Sequence, residues 1–255
     1  MPLNTTKREQ QLQLAQDLAA KLKIERGFKI DLRRFFKDLN SEFKSTYIRT
    51  SRIIDVRNFD AELVGILRKH YRKAIKRFGS TLRKTKALND DIAAEQIEFM
   101  RQDTDSHAAL ILGTVASQYE RIVNSAFEGI EAGEQLTSET IGTTASATFA
   151  SLIPAKADLI AEIETQNASE GSKQIELSSL IGAGVLLQSE TKKQWMTVLD
   201  DRTRSSHVIA DGQTRDASDL FSVQGQSLER PGDTSHGATM SNVARCRCSS
   251  ITIIN

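Results

Sequence analysis

The chain has 255 residues, 39% hydrophobic and 26% charged, with a net charge of +1. That length can bury a core without disulfides, and no apolar run approaches the ~20 residues of a membrane helix, so no membrane anchor is expected. Few aromatics (5%) and only three prolines argue against an all-β fold and favour helices.

The small net charge hides an asymmetry. Residues 1–90 hold 22 Lys/Arg and 10 Asp/Glu, giving +12, while residues 91–255 hold 12 and 23, giving −11. A basic half and an acidic half imply separate partners, or one half docking the other. The start, Met1 to Arg8, has no apolar core, which predicts no secretory leader.

In chain order, helical spacing predicts a first helix over 5–26, with Leu12, Ala15, Leu18/Ala19, Leu22 and Arg26 inward, Thr5 or Thr6 as its cap and Gly27 as its stop. A second fits 30–48 on Leu32, Phe35/Phe36, Leu39, Phe43 and Tyr47, with Asn40-Ser41 as a potential interruption. The third fits 59–79, with Leu63, Leu67, Tyr71, Ile75 and Phe78 inward, Asn58 or Asp60 as cap and Gly79 as stop. Its outer side carries Arg68, Lys69, Arg72, Lys73, Lys76 and Arg77, followed by Arg83 and Lys84. Stacked cations of this kind suit DNA phosphates without sequence preference; they equally suit a solvated helix face or a face meeting the chain's own acidic half.

After Asn89 to Asp91, where the charge sign changes, helices are expected over 91–102 and 106–132, the latter closed by Gly133. Further helical spacing covers 137–153; Pro154 marks a break, and 155–167 and 172–182 are again helical. The C-terminal part reads as strand 195–199, a helical turn at 203–210, an irregular loop over 212–242 and a strand over 243–254. The expectation is therefore an α+β fold: a mainly helical N-terminal part divided at 1–90 and 91–187, and a small β-containing tip over 188–255. The tip's apolar groups are Trp195 as core anchor, Val198, Leu199, Ile209, Phe221 and Val243.

Chemistry concentrates in that tip. Cys246 and Cys248, one residue apart, are poorly placed to bridge each other and point to free or metal-bound thiols in a reducing compartment. With His207 they form a candidate metal cluster, zinc being the ion such donors suit, and Asp200, or alternatively Asp201 or His236, could supply a fourth ligand. The plainer alternative is two thiols packed as small hydrophobes beside a hydrogen-bonded histidine. Asp200, Asp201, Arg202 and Arg204 read either as an acid/base pair or as an ion-paired turn. The turn is favoured, because no nucleophile motif or phosphate loop accompanies them. Asp211-Gly212 and Pro231-Gly232-Asp233 are turn chemistry.

The order Glu164-Thr165 with Ala168 and Gly171, Trp195, Asp200/Asp201–Arg202–Arg204–His207, Asp211-Gly212-Gln213, Pro231-Gly232-Asp233 and Cys246-Arg247-Cys248 resembles the phage Mu F-like head morphogenesis family, over roughly residues 120–255. One departure stands out: the family usually has Asn directly before Cys-Arg-Cys, whereas this chain has Arg245 there, with Asn242 three residues earlier. The resemblance implies a non-enzymatic minor head protein of a tailed phage, made in the host cytoplasm and placed in the virion or procapsid interior near the portal vertex. Its partners would be the portal, other head proteins and double-stranded DNA. Trp195, Asp201, Arg204, Asp211, Gly212, Pro231 and Gly232 would have structural roles. The rival classes are a metal-dependent nuclease or other hydrolase built on His207, Asp200/Asp201 and the cysteines, and a non-specific DNA-binding protein.

Overall fold

A computed structural model describes residues 6–85, 93–128 and 136–254. The helix stop expected at Gly133 lies outside the described residues. The fold is α+β and mainly helical, with a small antiparallel sheet near the C-terminus. No helix among the described residues is long and apolar enough to cross a membrane.

Fewer and longer helices form than local signals predict. Helix α1 spans Lys7–Thr50 without interruption at Gly27 or Asn40-Ser41. A capping box opens it: the Thr6 hydroxyl accepts from Glu9 N–H (3.3 Å) while Glu9 Oε2 accepts from Thr6 N–H (2.6 Å). A mid-helix glycine costs about 1 kcal/mol relative to alanine, but Phe28, Leu32, Phe35, Phe36 and Leu39 are all buried just beyond it. Each large apolar side chain contributes about 1.5–3 kcal/mol on full burial, so packing decides the outcome.

After a 3-10 turn at Val56–Phe59, capped by Asp55, which accepts from Arg57 N–H (3.0 Å), α2 spans Asp60–Phe78. The stripe Leu63, Leu67, Tyr71, Ile75 and Phe78 is buried as its spacing predicts, and α2 ends before Gly79. A short α3 covers Thr81–Thr85. A single helix, α4 at Ala94–Glu128, replaces the expected pair over 91–102 and 106–132. Likewise α5 runs from Ser138 to Gly182 through Pro154. The proline removes one backbone bond, but it is exposed, and the stripe Phe149, Ile153, Ala157 and Ala161 is buried on both sides of it.

The packing groups the chain into two compact units, not into the three consecutive segments expected. One unit takes Met1–Arg26, His70–Met100 and Leu159–Asn255; the second takes Gly27–Lys69 and Arg101–Asp158. Each long helix therefore contributes a piece to both, which a division by charge cannot capture. In the second unit Tyr119 stacks between Phe43 (4.1 Å) and Phe149 (4.3 Å). There the buried Asn40 accepts from Tyr119 OH (3.3 Å) and donates to Ser146 O (3.0 Å).

The first unit carries the sheet, ordered β2-β1-β5 with antiparallel pairing: β1 is Thr191–Met196, β2 is Thr214–Asp216 and β5 is Ser249–Ile254. The strand expected at 195–199 thus starts and ends earlier, and Cys246 and Cys248 precede the last strand instead of lying on it. The supposed loop 212–242 contains β2, a hairpin of β3 (Phe221–Val223) and β4 (Gln226–Leu228), and α7 (Met240–Val243); α6 is Ser205–Ala210. Trp195, Phe221, Val223, Leu228, Val243 and both cysteines form one buried cluster. Ile209 (86% exposed) and Leu199 (56%) are not part of it, contrary to expectation.

The hairpin turns on Gln224 (φ 53°) and Gly225 (φ 72°). Two consecutive left-handed residues define the turn that prefers Asn-Gly. Gln224→Asn, at an exposed site, is expected to raise the unfolding free energy by about 0.5–1 kcal/mol, read as a shifted urea midpoint at unchanged slope.

Candidate metal centre

The centre is assembled by three segments. Near the end of β1 is Trp195, whose buried indole N–H donates to Thr197 Oγ1 (3.1 Å). Thr197 Oγ1 in turn donates to His207 O (2.9 Å), and Thr197 N–H donates to Asp211 Oδ1 (2.8 Å). Asp211 and Gly212 thereby close the turn after α6; Gly212 (φ +77°) donates its N–H to Trp195 O (2.8 Å). The edge of Trp195 meets His207 with ring centroids 5.7 Å apart.

His207, Cys246 and Cys248 are each at most 4% exposed, and one donor atom from each lies within 4.8 Å of the others, a group that could hold a metal ion. His207 Nδ1 is 3.3 Å from Cys248 Sγ and 3.7 Å from Cys246 Sγ. Nitrogen and sulfur on a common tetrahedral zinc would be about 3.6 Å apart, from Zn–N of about 2.05 Å and Zn–S of about 2.3 Å. The donors are thus already near ligand spacing.

The other ring nitrogen, Nε2, lies 3.0 Å from both Asn242 O and Asn242 Oδ1. The Asn242 amide is fixed in this sense because its Nδ2 donates to Val223 O (3.2 Å). Nε2 therefore carries a hydrogen, leaving Nδ1 for an ion, the arrangement in which an outer hydrogen bond sets the ligand tautomer. Without an ion, the Cys248 thiol donates to Cys246 and, against burial, holds the Cys246 thiol well below its usual pKa, with His207 adding to the effect. The same hydrogen bond and burial push Cys248 well above it. Burial lowers the pKa of His207, but the hydrogen bond and charge of Cys246 outweigh this and the net shift is upward.

Asp200 lies outside this group. It accepts from Arg202 N–H (3.1 Å) and Thr203 Oγ1 (3.0 Å), and forms a fork with Arg247 at 2.5 and 2.8 Å. Arg247 chiefly holds its carboxyl at a pKa of about 2. This bidentate pair grips the residue between the two cysteines. Arg204 donates to Ala244 O on the same segment. The Asp–Arg turn thus positions the cysteines. Asp201 is exposed on the turn. His236 does not join the metal group; its Nδ1 lies 2.8 Å from Asp233 Oδ2. Among the described residues no fourth His, Cys, Asp or Glu belongs to the group.

Arg245 has φ +56°. Asn tolerates the left-handed region better than other non-glycine residues, which gives a physical reason for Asn at this point of the resembling motif. Arg245 occupies it at a backbone cost, while its Nε is 3.3 Å from Glu162.

Beneath the centre lies a stretch of α5 that sequence reasoning undervalued. Residues 164–172 are buried without exception, although most are polar. Glu164 accepts from Tyr71 OH (2.8 Å), and Thr165 Oγ1 is 3.1 Å from His70 Nε2. Gln166 Nε2 donates to Cys248 O (2.8 Å) and Pro231 O (3.3 Å). Gly232 (φ +87°) passes so close that a Cβ there would meet Gln166 Cγ at 2.8 Å. Asp233, buried, accepts from Glu229 N–H, Arg230 and Ser235; against burial, the hydrogen bonds from Ser235, Glu229 and His236 bring its pKa to about 2. Thr197 and Gln166 are the residues missed, with closeness to the motif residues in sequence as the only hint; Asn242 stood out only as an asparagine displaced from its place in the motif.

The basic stripe divides. Arg68 pairs with Asp105 (2.8 Å) and Lys69 with Asp31 (2.8 Å), within the second unit. In the first unit Arg72, Lys73, Lys76, Arg77 and Lys84 are exposed, while Arg83 is half-buried and donates its N–H to Glu176 (2.9 Å). Compared with protein-family models, curated proteins and solved structures, the chain matches none.

Proposed function

We propose that this chain is a non-catalytic minor head protein of a tailed phage, acting in procapsid assembly near the portal vertex, with a zinc ion stapling its C-terminal region. One observation carries the reading. The ordered motif residues, from Glu164 through Trp195, His207 and Gly232 to Cys248, converge on one hydrogen-bonded interior instead of lining a cleft. Residues spent on holding each other are residues of architecture. Arg72, Lys73, Lys76 and Arg77, exposed on α2, support contact with packaged DNA through phosphates.

Mass spectrometry of purified heads and DNA-free procapsids tests the placement; absence from both sinks it. Incubation with duplex and single-stranded DNA plus Mg²⁺, Mn²⁺ or Zn²⁺ tests the rest. Cleavage abolished by His207→Ala would promote the nuclease alternative.

Zinc is assigned from the donor set, one imidazole and two thiols at ligand spacing. About one equivalent should co-purify. Cys246→Ser with Cys248→Ser should release it and lower the melting temperature by several degrees, since an ion bound only by the folded state stabilises that state. If no metal co-purifies and the double variant melts with wild type, the thiols are packing groups only.

A further inference from the structure

β1 turns alternate residues inward. Thr191, Lys193 and Trp195 are buried, while Lys192 and Gln194 are half-buried. Lys193 is thus a cation at a core position, 1% exposed. A buried charge is costly unless it is paired, and Lys193 is met only in part. Its ammonium has three hydrogens to give. One short bond goes to Glu229 O (2.8 Å), a longer one to Gln174 Oε1 (3.5 Å), and the ring of Phe221 lies 5.3 Å away. All three are neutral groups. Burial holds the Lys193 pKa below the usual lysine value, although Glu229, Asp219 and Asp233 attract the charge from farther off. Lys21, buried in the same unit, instead meets Glu170 directly at 2.7 Å.

Lys193 borders a cavity of about 370 Å³ bounded by α1, α5 and β5, within the range of about 300–1,000 Å³ of small-molecule sites. Leu12, Phe78, Leu82 and Leu177 give it an apolar wall. The wall grades from Leu12, 59% exposed, to Phe78 and Leu177, at most 2% exposed, so the cavity has a mouth and a closed end. The other charges on the wall are already answered. Lys173 pairs with Asp17 (2.6 Å), Glu176 accepts from Arg83 N–H (2.9 Å), and Glu9 belongs to the capping box of α1.

We propose that this cavity binds a small amphipathic monocarboxylate, whose carboxylate accepts from Lys193 and whose hydrocarbon part lies along Phe78, Leu82 and Leu177. A carboxylate supplies the charge that Lys193 lacks, and a charge-assisted hydrogen bond is roughly twice as strong as a neutral one. A cation would add to the charge of Lys193. A polyanion fits worse than a single carboxylate, because Asp17 and Glu176 stand on the same wall. The site depends on neither the zinc nor the head-protein reading.

Calorimetric titration of the full chain with octanoate and with octanol tests this. Octanoate should bind at least about tenfold more tightly than the alcohol, the worth of a hydrogen bond between charged groups. It should also raise the urea midpoint, as any ligand of the folded state does. Lys193→Met keeps an unbranched side chain without the charge; it should weaken octanoate about tenfold or more and leave octanol as in wild type. Leu82→Trp, at a half-buried wall position, should fill the cavity and weaken both ligands. No binding of octanoate at millimolar concentration overturns the proposal. So does equal binding of acid and alcohol by wild type, a comparison that needs no variant to fold. Wild-type affinity for octanoate in Lys193→Met overturns it as well.

Discussion

Glu170→Ala should destabilise the protein by roughly 3–5 kcal/mol, the cost of leaving a buried charge unpaired. Glu170 is fully buried and accepts from Lys21 (2.7 Å), Lys173 (3.1 Å), Ser249 Oγ (2.8 Å), and both the N–H (2.8 Å) and Oγ (3.0 Å) of Ser250. Burial alone would raise its pKa, but the Lys173 and Lys21 charges reverse this and hold the carboxyl far below its usual value. Asp17 completes the group by pairing with Lys173 (2.6 Å). Two negative and two positive charges therefore balance, and removing Glu170 leaves one excess cation with Lys21 only 5% exposed. Lys21→Met with Glu170→Met should recover much of the loss, because a pair replaced by apolar groups forfeits desolvation cost and attraction together. Urea unfolding of the two single variants and the double variant measures the coupling. A loss below about 1 kcal/mol for Glu170→Ala would mean that water reaches the cluster and screens it.

That cluster also shows where the sequence was legible and where it was not. On α2, Leu63, Leu67, Tyr71, Ile75 and Phe78 are apolar and buried, because the stripe packs against other apolar stripes. On the first half of α1 the same rule picks the wrong side. Leu12, Ala15, Ala19, Leu22 and Arg26 face solvent, while Leu14, Asp17, Lys21 and Glu25 are buried. Periodicity reads hydrophobicity, and a charge is buried only when a partner waits; the partner of Lys21 lies 149 residues away. The same blindness hid the polar platform of α5. The metal group was legible because thiol and imidazole are rare enough to be noticed one by one. Asp200, Asp201 and His236, considered as a fourth member, lie outside the group; Asp200 meets an arginine, Arg247, that no spacing rule connects to it. Pro154 and Gly27 misled for a further reason: a local cost of up to about 3 kcal/mol for proline and 1 for glycine is smaller than the burial that follows each of them.

Between pH 7.5 and pH 5 the protein should lose about 2 kcal/mol of stability that His70→Gln does not lose. His70 is buried between Tyr71 and Thr165 (3.1 Å from Nε2), and burial, aided by the charge of Lys73, lowers its pKa to about 3 from 6.5. The folded state thus keeps the ring neutral throughout this range, while the unfolded chain takes up a proton below pH 6.5. Where the unfolded state binds more protons, stability rises with pH, so acidification must weaken the fold. The full difference of about 3.5 pK units would correspond to roughly 5 kcal/mol well below pH 3; carboxylates obscure that end, since the unfolded chain protonates Glu170 and Asp233 below their ordinary pKa values of 4.5 and 3.8 while the fold holds both ionised further down. Above pH 5 those groups stay ionised. Glu176 and His207 have raised pKa values and act in the opposite sense, contributing stability that is present at lower pH and lost as pH rises. Wild type alone would therefore show a blunted slope. The measurement is the difference between wild type and His70→Gln, from urea midpoints at pH 7.5, 6 and 5, because the other groups cancel in it. Parallel curves for the two proteins would show that His70 protonates in place, drawing on water or a rotamer that brings it to an acceptor.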